Sequence, residues 1–321
     1  MGELKRSFAG LAACDPDELA ITTNLSIALS TIASCLDLTG ERRRIVLSEL
    51  DFPTDGHVWL AQAARGAELV WLRSDDGLTI PLDAYEAAID ERTALVMVNR
   101  VLYRSSALMD AKQVCAIARE RGAMTFVDDY HGAGIVPLDL HDLGCDFYSA
   151  GVLKWLCGGP GLAFLYARRD LLETLSPAVT GWFATADPFS FDGRHLVLHA
   201  SARRLEHGTP PAPVFFIAKG GLEIIAEIGV GRIRAQQGEL TDRVIARADE
   251  AGLKVRTPRD AAQRGGVVNV KVGDGAREIC HALLGRDVCT DYRGDGLRIS
   301  PHFFTTEDEI DRCFDELRAL V

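Results

Sequence analysis

Short apolar runs alternate with amphipathic stretches through the first half of the chain. The runs 44–48, 68–72, 94–98, 123–127, 147–150 and 162–166 are nearly unbroken by charge. Such runs predict strands buried on both faces. Helical periods lie between them. Residues 25–36 form one, and 110–121 form another, with Val114, Ile117 and Ala118 on a single face. A third opens at 55–64. Strand and helix in alternation predict a mostly parallel sheet covered by helices.

The pattern changes after Gly208-Thr209-Pro210-Pro211. Residues 213–252 read as long helix, interrupted near Gly229 and Gly231. A strand at 267–272, a helix at 276–284, a strand at 296–300 and a helix at 306–320 complete the chain. Thr306 is the expected N-cap of the last helix. Glu307, Asp308 and Glu309 follow in its first turn, where the helix dipole favours anions. The prediction is an α/β fold, with a large domain over 1–225 and a small α+β domain over 226–321.

Composition narrows the class. A length of 321 residues, 47% hydrophobic and 25% charged, suits a soluble globular protein of one large and one smaller domain. A net charge of -11 argues against nucleic-acid or anionic-membrane partners. The eight cysteines form no CxxC pair, so no metal site is expected. Most sit in apolar runs, which suggests a reducing, cytoplasmic setting. Lys5 and Arg6 precede a short apolar stretch at 8–14, but Asp15, Asp17 and Glu18 follow at once, so no signal peptide is expected. No run is long enough to span a bilayer.

The candidate chemistry centres on Lys154, one of only six lysines against twenty-nine arginines. It stands between the run ending at Gly151 and the loop Gly158-Gly159-Pro160-Gly161. Upstream, Asp128 and His131 close another apolar run in Val127-Asp128-Asp129-Tyr130-His131. Each feature is common alone. In this order they suggest a pyridoxal phosphate site. A desolvated lysine amine is a nucleophile that forms a Schiff base with the aldehyde. An acid keeps the pyridine nitrogen protonated, so the ring can absorb electrons. Successive strand residues face opposite ways, so only one of Asp128 and Asp129 can serve; the step to His131 selects Asp128.

The chain resembles the class V aminotransferase group of fold-type-I pyridoxal phosphate enzymes, and within it most closely kynureninase. The resemblance runs from about residue 16 to the C-terminus. It rests on Ile21-Thr22-Thr23-Asn24-Leu25, Phe52-Pro53-Thr54-Asp55, Asp128-Asp129-Tyr130-His131, Lys154-Trp155-Leu156, Gly158-Gly159-Pro160-Gly161, Gly181-Trp182-Phe183, Glu206-His207-Gly208-Thr209-Pro210-Pro211 and Arg298-Ile299-Ser300-Pro301.

The resemblance implies a role for each residue. Thr22 and Thr23 would hold the cofactor phosphate, aided by backbone N–H groups at a helix start. Phe52 would stack on the ring, Asp55 and Asn99 would support the pocket, and Asp128 would pair with the ring nitrogen. His131 would sit beside the cofactor. Lys154 would form the link and move the substrate's α-proton. Trp182 and Thr209 would reach the phosphate of the partner in a homodimer with shared sites. Arg298 would grip the substrate's α-carboxylate.

Three positions depart from the pattern. Leu153 stands where kynureninase has tyrosine. Asn99-Arg100 replaces a small polar pair, with Arg100 expected to add charge near the pocket. The phosphate threonine comes only about twenty residues from Met1, so the N-terminal arm of relatives is expected to be missing. The implied reaction is kynureninase-like hydrolytic β,γ C–C cleavage or related β-lyase chemistry on an amino acid. The alternatives are amino transfer, cysteine desulfuration with Cys289 as the candidate thiol in a strand-like setting, or a cofactor-binding but catalytically impaired subunit.

Overall fold

The computed structural model describes residues 1–321. In chain order the large lobe contains α1 (Gly2–Ala12), β1 (Leu19–Thr22), α2 (Leu25–Cys35), β2 (Arg44–Ser48), α3 (Pro53–Gln62), β3 (Glu68–Leu72) and α4 (Leu82–Ala88). It continues with β4 (Thr93–Asn99), α5 (Ala111–Glu120), β5 (Met124–Asp128), α6 (Leu140–Leu143), β6 (Phe147–Gly151) and β7 (Ala163–Ala167). Two long helices, α7 (Ala212–Ile228) and α8 (Val230–Glu250), lead into the small lobe. That lobe holds β8 (Lys254–Val255), β9 (Val268–Lys271), α9 (Ala276–Leu284), β10 (Asp291–Arg293), β11 (Gly296–Ile299) and α10 (Glu307–Arg318).

The predicted strands of the large lobe all form, with ends moved by at most one residue. Three short strands lie beyond those that the sequence pattern predicts. β10 is half-buried and polar, β8 is two residues long, and β1 is a four-residue edge strand. The N-terminal stretch is helix α1. Leu4, Phe8 and Ala12 recur at a four-residue spacing and are buried, and Phe8 stacks on Phe164 at 4.2 Å.

The large sheet has strand order β1-β7-β6-β5-β4-β2-β3. β6, β5, β4, β2 and β3 run parallel, while β7 is antiparallel to both β6 and β1. No helix intervenes between β6 and β7, so the chain returns antiparallel rather than crossing over. Alternate residues feed two cores. Val96, Val98, Val127, Tyr148 and Phe164 join the core shared with α1, α5 and α7. Leu95, Met97, Phe126, Phe147 and Leu165 join the core under α2 and α3.

Local signals place the helices. Asn24 caps α2 by accepting from Ile27 N, and Asp110 caps α5 by accepting from Gln113 N. Pro53 begins α3, where a missing N–H costs nothing. Thr306 and Glu309 form the expected capping box on α10. Gly229, at φ 87°, separates α7 from α8.

The small lobe is a four-stranded antiparallel sheet, β10-β11-β9-β8, packed by α8, α9 and α10. The apolar cores divide along α8: Ile233 belongs to the large core, and Leu240, Val244 and Ile245 to the small one. The lobes are stitched by Gly265 N to Ser106 O at 2.7 Å and Asn269 Nδ2 to Arg104 O at 3.1 Å.

Candidate active site

Strand register builds the site. Asn99 pairs with Asp128 across β4 and β5, and Asp128 with Ser149 across β5 and β6. Asn99 follows Met97 by two, Asp128 follows Phe126 by two, and Ser149 follows Phe147 by two. All three therefore face the α2–α3 side. Thr22 follows Ala20 by two on β1 and joins the same face. A polar row thus forms where β4, β5 and β6 end, the edge at which sheets with parallel crossovers receive ligands.

Asp128 takes Tyr130 N–H on Oδ1 at 2.9 Å. Burial raises its carboxyl to about 6, and the Lys154 charge pulls it back down. Asp129 points the other way. Its Oδ2 accepts from Arg100 at 2.9 Å and from the Tyr148 hydroxyl at 3.0 Å. The expectation for Arg100 is thereby corrected: it binds Asp129 across the sheet from the polar row and adds no charge to that face.

Lys154 follows β6 by three residues and reaches back over the strand end. Its Nζ lies 2.6 Å from His131 Nε2 and 5.6 Å from the ring centres of both Phe52 and Tyr130. Burial lowers the amine to about 8; Asp128 works against that, and Arg298 and Arg293 add to it. His131 is 6% exposed and held well below its ordinary value by burial first, then by Lys154, Arg298 and Arg293. A neutral His131 accepts the lysine's hydrogen bond.

Arg298, on β11, closes the far wall of a cavity of about 300 Å³ that also touches His131, Lys154 and Trp155. Its Nε is buried without a partner, while its Nη2 lies 4.0 Å from Asp291 Oδ2. His302 ties this wall to the lysine loop, its Nε2 donating to Trp155 O at 3.1 Å.

Several expected residues come together here: Lys154, His131, Asp128 and Phe52, with Asp55 linked through Asn99, whose Nδ2 donates to Asp55 Oδ2 at 2.7 Å. Thr22 is buried at the end of β1, and Thr23 beside it is exposed. Trp182 and Thr209 do not join them within one chain. Both are exposed, and Trp182 lines a different cavity with Phe191 and Val197. Cys289 lies in an exposed loop rather than a strand and lines another cavity with Phe304.

Sequence reasoning missed Ser149, Asp51 and Tyr130. Ser149 could have been found from its two-residue step after Phe147 on the strand leading to Lys154. Tyr130 lies inside the Asp128–His131 motif, and its ring occupies the space where a Cβ on Gly151 would come within 2.2 Å.

Pyridoxal phosphate fits these residues. Thr22 Oγ1, Ser149 Oγ and Arg298 Nε are buried polar atoms without partners. Each costs about 1–3 kcal/mol unless a ligand satisfies it. A phosphate near Thr22 and the start of α2 and a polar ring near Ser149 would supply partners for two of these atoms, and the carboxylate of an amino acid would supply one for Arg298.

Comparison with known proteins agrees. The family model described as Aminotransferase class-V matches residues 2–312. The uncharacterized aminotransferase YcbU of Bacillus subtilis (strain 168) is 34% identical, over 98% of this chain and 82% of that protein. Isopenicillin N epimerase of Streptomyces clavuligerus is 33% identical, over 99% and 84%. Kynureninase of Pseudomonas fluorescens is 31% identical, over 90% and 71%. In fold, the chain matches the apo structure of a cysteine desulfurase from Thermococcus onnurineus NA1 with a TM-score of 0.91 at 23% identity, covering 100% of this chain and 83% of that one. The chain belongs to the class-V aminotransferase family, a family of pyridoxal phosphate enzymes.

Proposed function

We propose that the protein acts on an α-amino acid and breaks a bond at its β-carbon, by kynureninase-like hydrolytic C–C cleavage or related β-lyase chemistry. The observation that supports this best is the Lys154–His131 pair, 2.6 Å apart, facing a buried Arg298 whose Nε has no partner, across a cavity of about 300 Å³. When bound, pyridoxal phosphate supplies an aldehyde for the lysine and an electron sink for the substrate. Arg298 takes the α-carboxylate and turns the α-hydrogen toward Lys154. Lys154, with its amine near 8, moves that proton. His131 accepts the lysine's hydrogen bond and fixes the amine's direction. Asp128 serves the ring nitrogen, and the Phe52 and Tyr130 rings wall the space around the Lys154 amine at 5.6 Å, while the hydrolytic reaction takes its water from the open side of the cavity.

The working unit in this reading is a homodimer. Trp182, Phe189, Phe191, Leu196 and Val197 form an apolar surface, each at least 38% exposed. Trp182 and Thr209 of one protomer would then serve the phosphate of its partner. Eight free thiols support a reducing, cytoplasmic setting. No helix is long and apolar enough to cross a membrane.

One observation favours a second reading, amino transfer. Leu153 is 46% exposed beside Lys154 and offers no acid to the group being cleaved. The products decide. L-kynurenine and a panel of amino acids are incubated with the cofactor-loaded protein. Release of L-alanine with anthranilate, or with another β-fragment, supports cleavage. A keto acid, with the cofactor left in its amine form, supports amino transfer and defeats the first reading. Lys154→Ala must abolish both the borohydride-reducible link and α-proton exchange. Turnover retained in Cys289→Ser excludes sulfur transfer through that thiol.

A further inference from the structure

Two residues with no task in the reading above, Glu206 and His207, hold the phosphate end of the site together. Glu206 is 2% exposed, and its Oε1 accepts the Ile21 backbone N–H at 3.2 Å. β1 is an edge strand, so its alternate N–H groups face away from β7 and need another acceptor. The Glu206 carboxylate is that acceptor for the residue directly before Thr22. The same oxygen meets Lys5 Nζ of α1 at 2.6 Å, which answers the buried charge.

His207 holds the neighbouring pieces. Its ring Nε2 lies 2.9 Å from Thr31 Oγ1 in α2, and that hydroxyl donates to Ile27 O at 2.7 Å, in the first turn of the helix. Its carbonyl accepts the Phe183 N–H at 3.0 Å. Gly181 packs so closely on this backbone that a Cβ there would come within 2.5 Å of His207 C and O. The loop of Trp182 is thus seated on His207, and Thr209 follows two residues later. Thr22, the first turn of α2, Trp182 and Thr209 are therefore all hung on one dipeptide. Thr22 Oγ1 is buried and still without a partner.

We propose that Glu206 and His207 are positioning residues for the phosphate end of the cofactor site. Glu206 fixes β1, and so Thr22; His207 fixes α2 and the Trp182 loop against it. A carboxylate repels phosphate, so Glu206 acts through the strand it holds and not by contact. In the homodimer reading, Trp182 and Thr209 serve the partner's phosphate. The dipeptide then ties one protomer's own phosphate residues to those it lends. The inference rests on the reading of Thr22 and α2 as the phosphate end.

The test compares two probes on the whole chain freed of cofactor, so it does not depend on turnover. One is pyridoxal phosphate; the other is pyridoxal, which has the ring and aldehyde but no phosphate. Each is titrated by quenching of tryptophan fluorescence, and the ratio of the two dissociation constants reads the phosphate end alone. Glu206→Leu and His207→Phe should each weaken pyridoxal phosphate by about tenfold or more, the loss expected for about one charge-assisted hydrogen bond, and pyridoxal by less than about twofold. Glu206→Gln keeps an acceptor for the Ile21 N–H and should recover most of the preference. An equal fall for both probes, or no fall for pyridoxal phosphate, overturns the proposal, because a general loosening of the fold acts on both alike. Should Glu206→Leu not fold with Lys5 left unpaired, Lys5→Met/Glu206→Leu removes the stranded charge, and His207→Phe decides independently. Thr22→Val checks the reading beneath. If it leaves the probe ratio unchanged, Thr22 is not a phosphate residue, and that reading fails with the inference. If it lowers the preference while the Glu206 and His207 variants do not, the reading stands and the inference alone fails.

Discussion

Replacing Arg100 by methionine should separate what holds the sheet from what serves the cofactor. Asp129 is fully buried, and its charge is answered by Arg100 at 2.9 Å and the Tyr148 hydroxyl at 3.0 Å. Burial raises its carboxyl above the usual range while Arg100 pulls it down. Removing the guanidinium leaves an uncompensated buried anion, a loss of about 3–5 kcal/mol. With a urea m-value near the upper end of ~1–3 kcal/mol/M, the unfolding midpoint should fall by about 1–2 M. The sign with pH is fixed. In the variant, the folded Asp129 binds a proton more tightly than the unfolded one. Stability therefore falls as pH rises from the unfolded value toward the folded one, and the deficit nearly vanishes below about pH 4. The double variant Arg100→Met/Asp129→Asn removes the stranded charge and should recover most of the loss. Urea unfolding followed by tryptophan fluorescence at pH 4 and pH 8 measures all of this. The folded variant should still form its reducible link at Lys154. An Arg100→Met protein within about 1 kcal/mol of wild type at pH 8, or one that folds normally but cannot hold the cofactor, would refute the assignment of Arg100 and Asp129 to the structural side of the sheet.

Three further outcomes are expected. The Lys154 amine of the cofactor-free protein should reach half its maximal reactivity toward a small aldehyde near pH 8, rather than near the ordinary lysine value of 10.5; a midpoint above 10 would show that the pocket does not desolvate it. Gly151→Ala would place a Cβ 2.2 Å from Tyr130 Cε1, so the ring must move; a loss of about 1–3 kcal/mol and weaker cofactor retention on dialysis are expected, and unchanged retention would remove Tyr130 from the pocket wall. A disulfide reagent should label Cys289 first in the native state, because the other seven cysteines are buried or half-buried; a fast phase that persists in Cys289→Ser contradicts that.

Much of the fold was legible because this sheet is buried on both faces, and strands so placed are written as unbroken apolar runs. The helices could be read from their caps and their 3.6-residue spacing. What escaped was held by partners distant in sequence. β1 exists because β7 offers it an antiparallel edge, and β10 because β11 does. Nothing in Asp291-Tyr292-Arg293 alone demands a strand.

The site divides in the same way. Lys154, Asp128 and His131 are legible because each ends or follows a strand with a step that turns it toward one face. Alternation predicts that Asp128 and Asp129 face opposite ways, and Asp129 does lie against Arg100 and Tyr148, away from the polar row. Alternation alone could not say that Arg100 would follow Asp129, because Arg100 lies one residue beyond the end of β4. Ser149 and Asp51 illustrate the remaining limit. A serine in a strand and an aspartate in a turn carry no chemistry by type. They acquire it from register, which sets Ser149 beside Asp128, and from a turn that brings Asp51 to the Asn99 amide at 3.2 Å. A one-residue slip of β5 against β6 would keep every motif in the sequence and destroy the site, because Asp128 would pass to the face now held by Asp129.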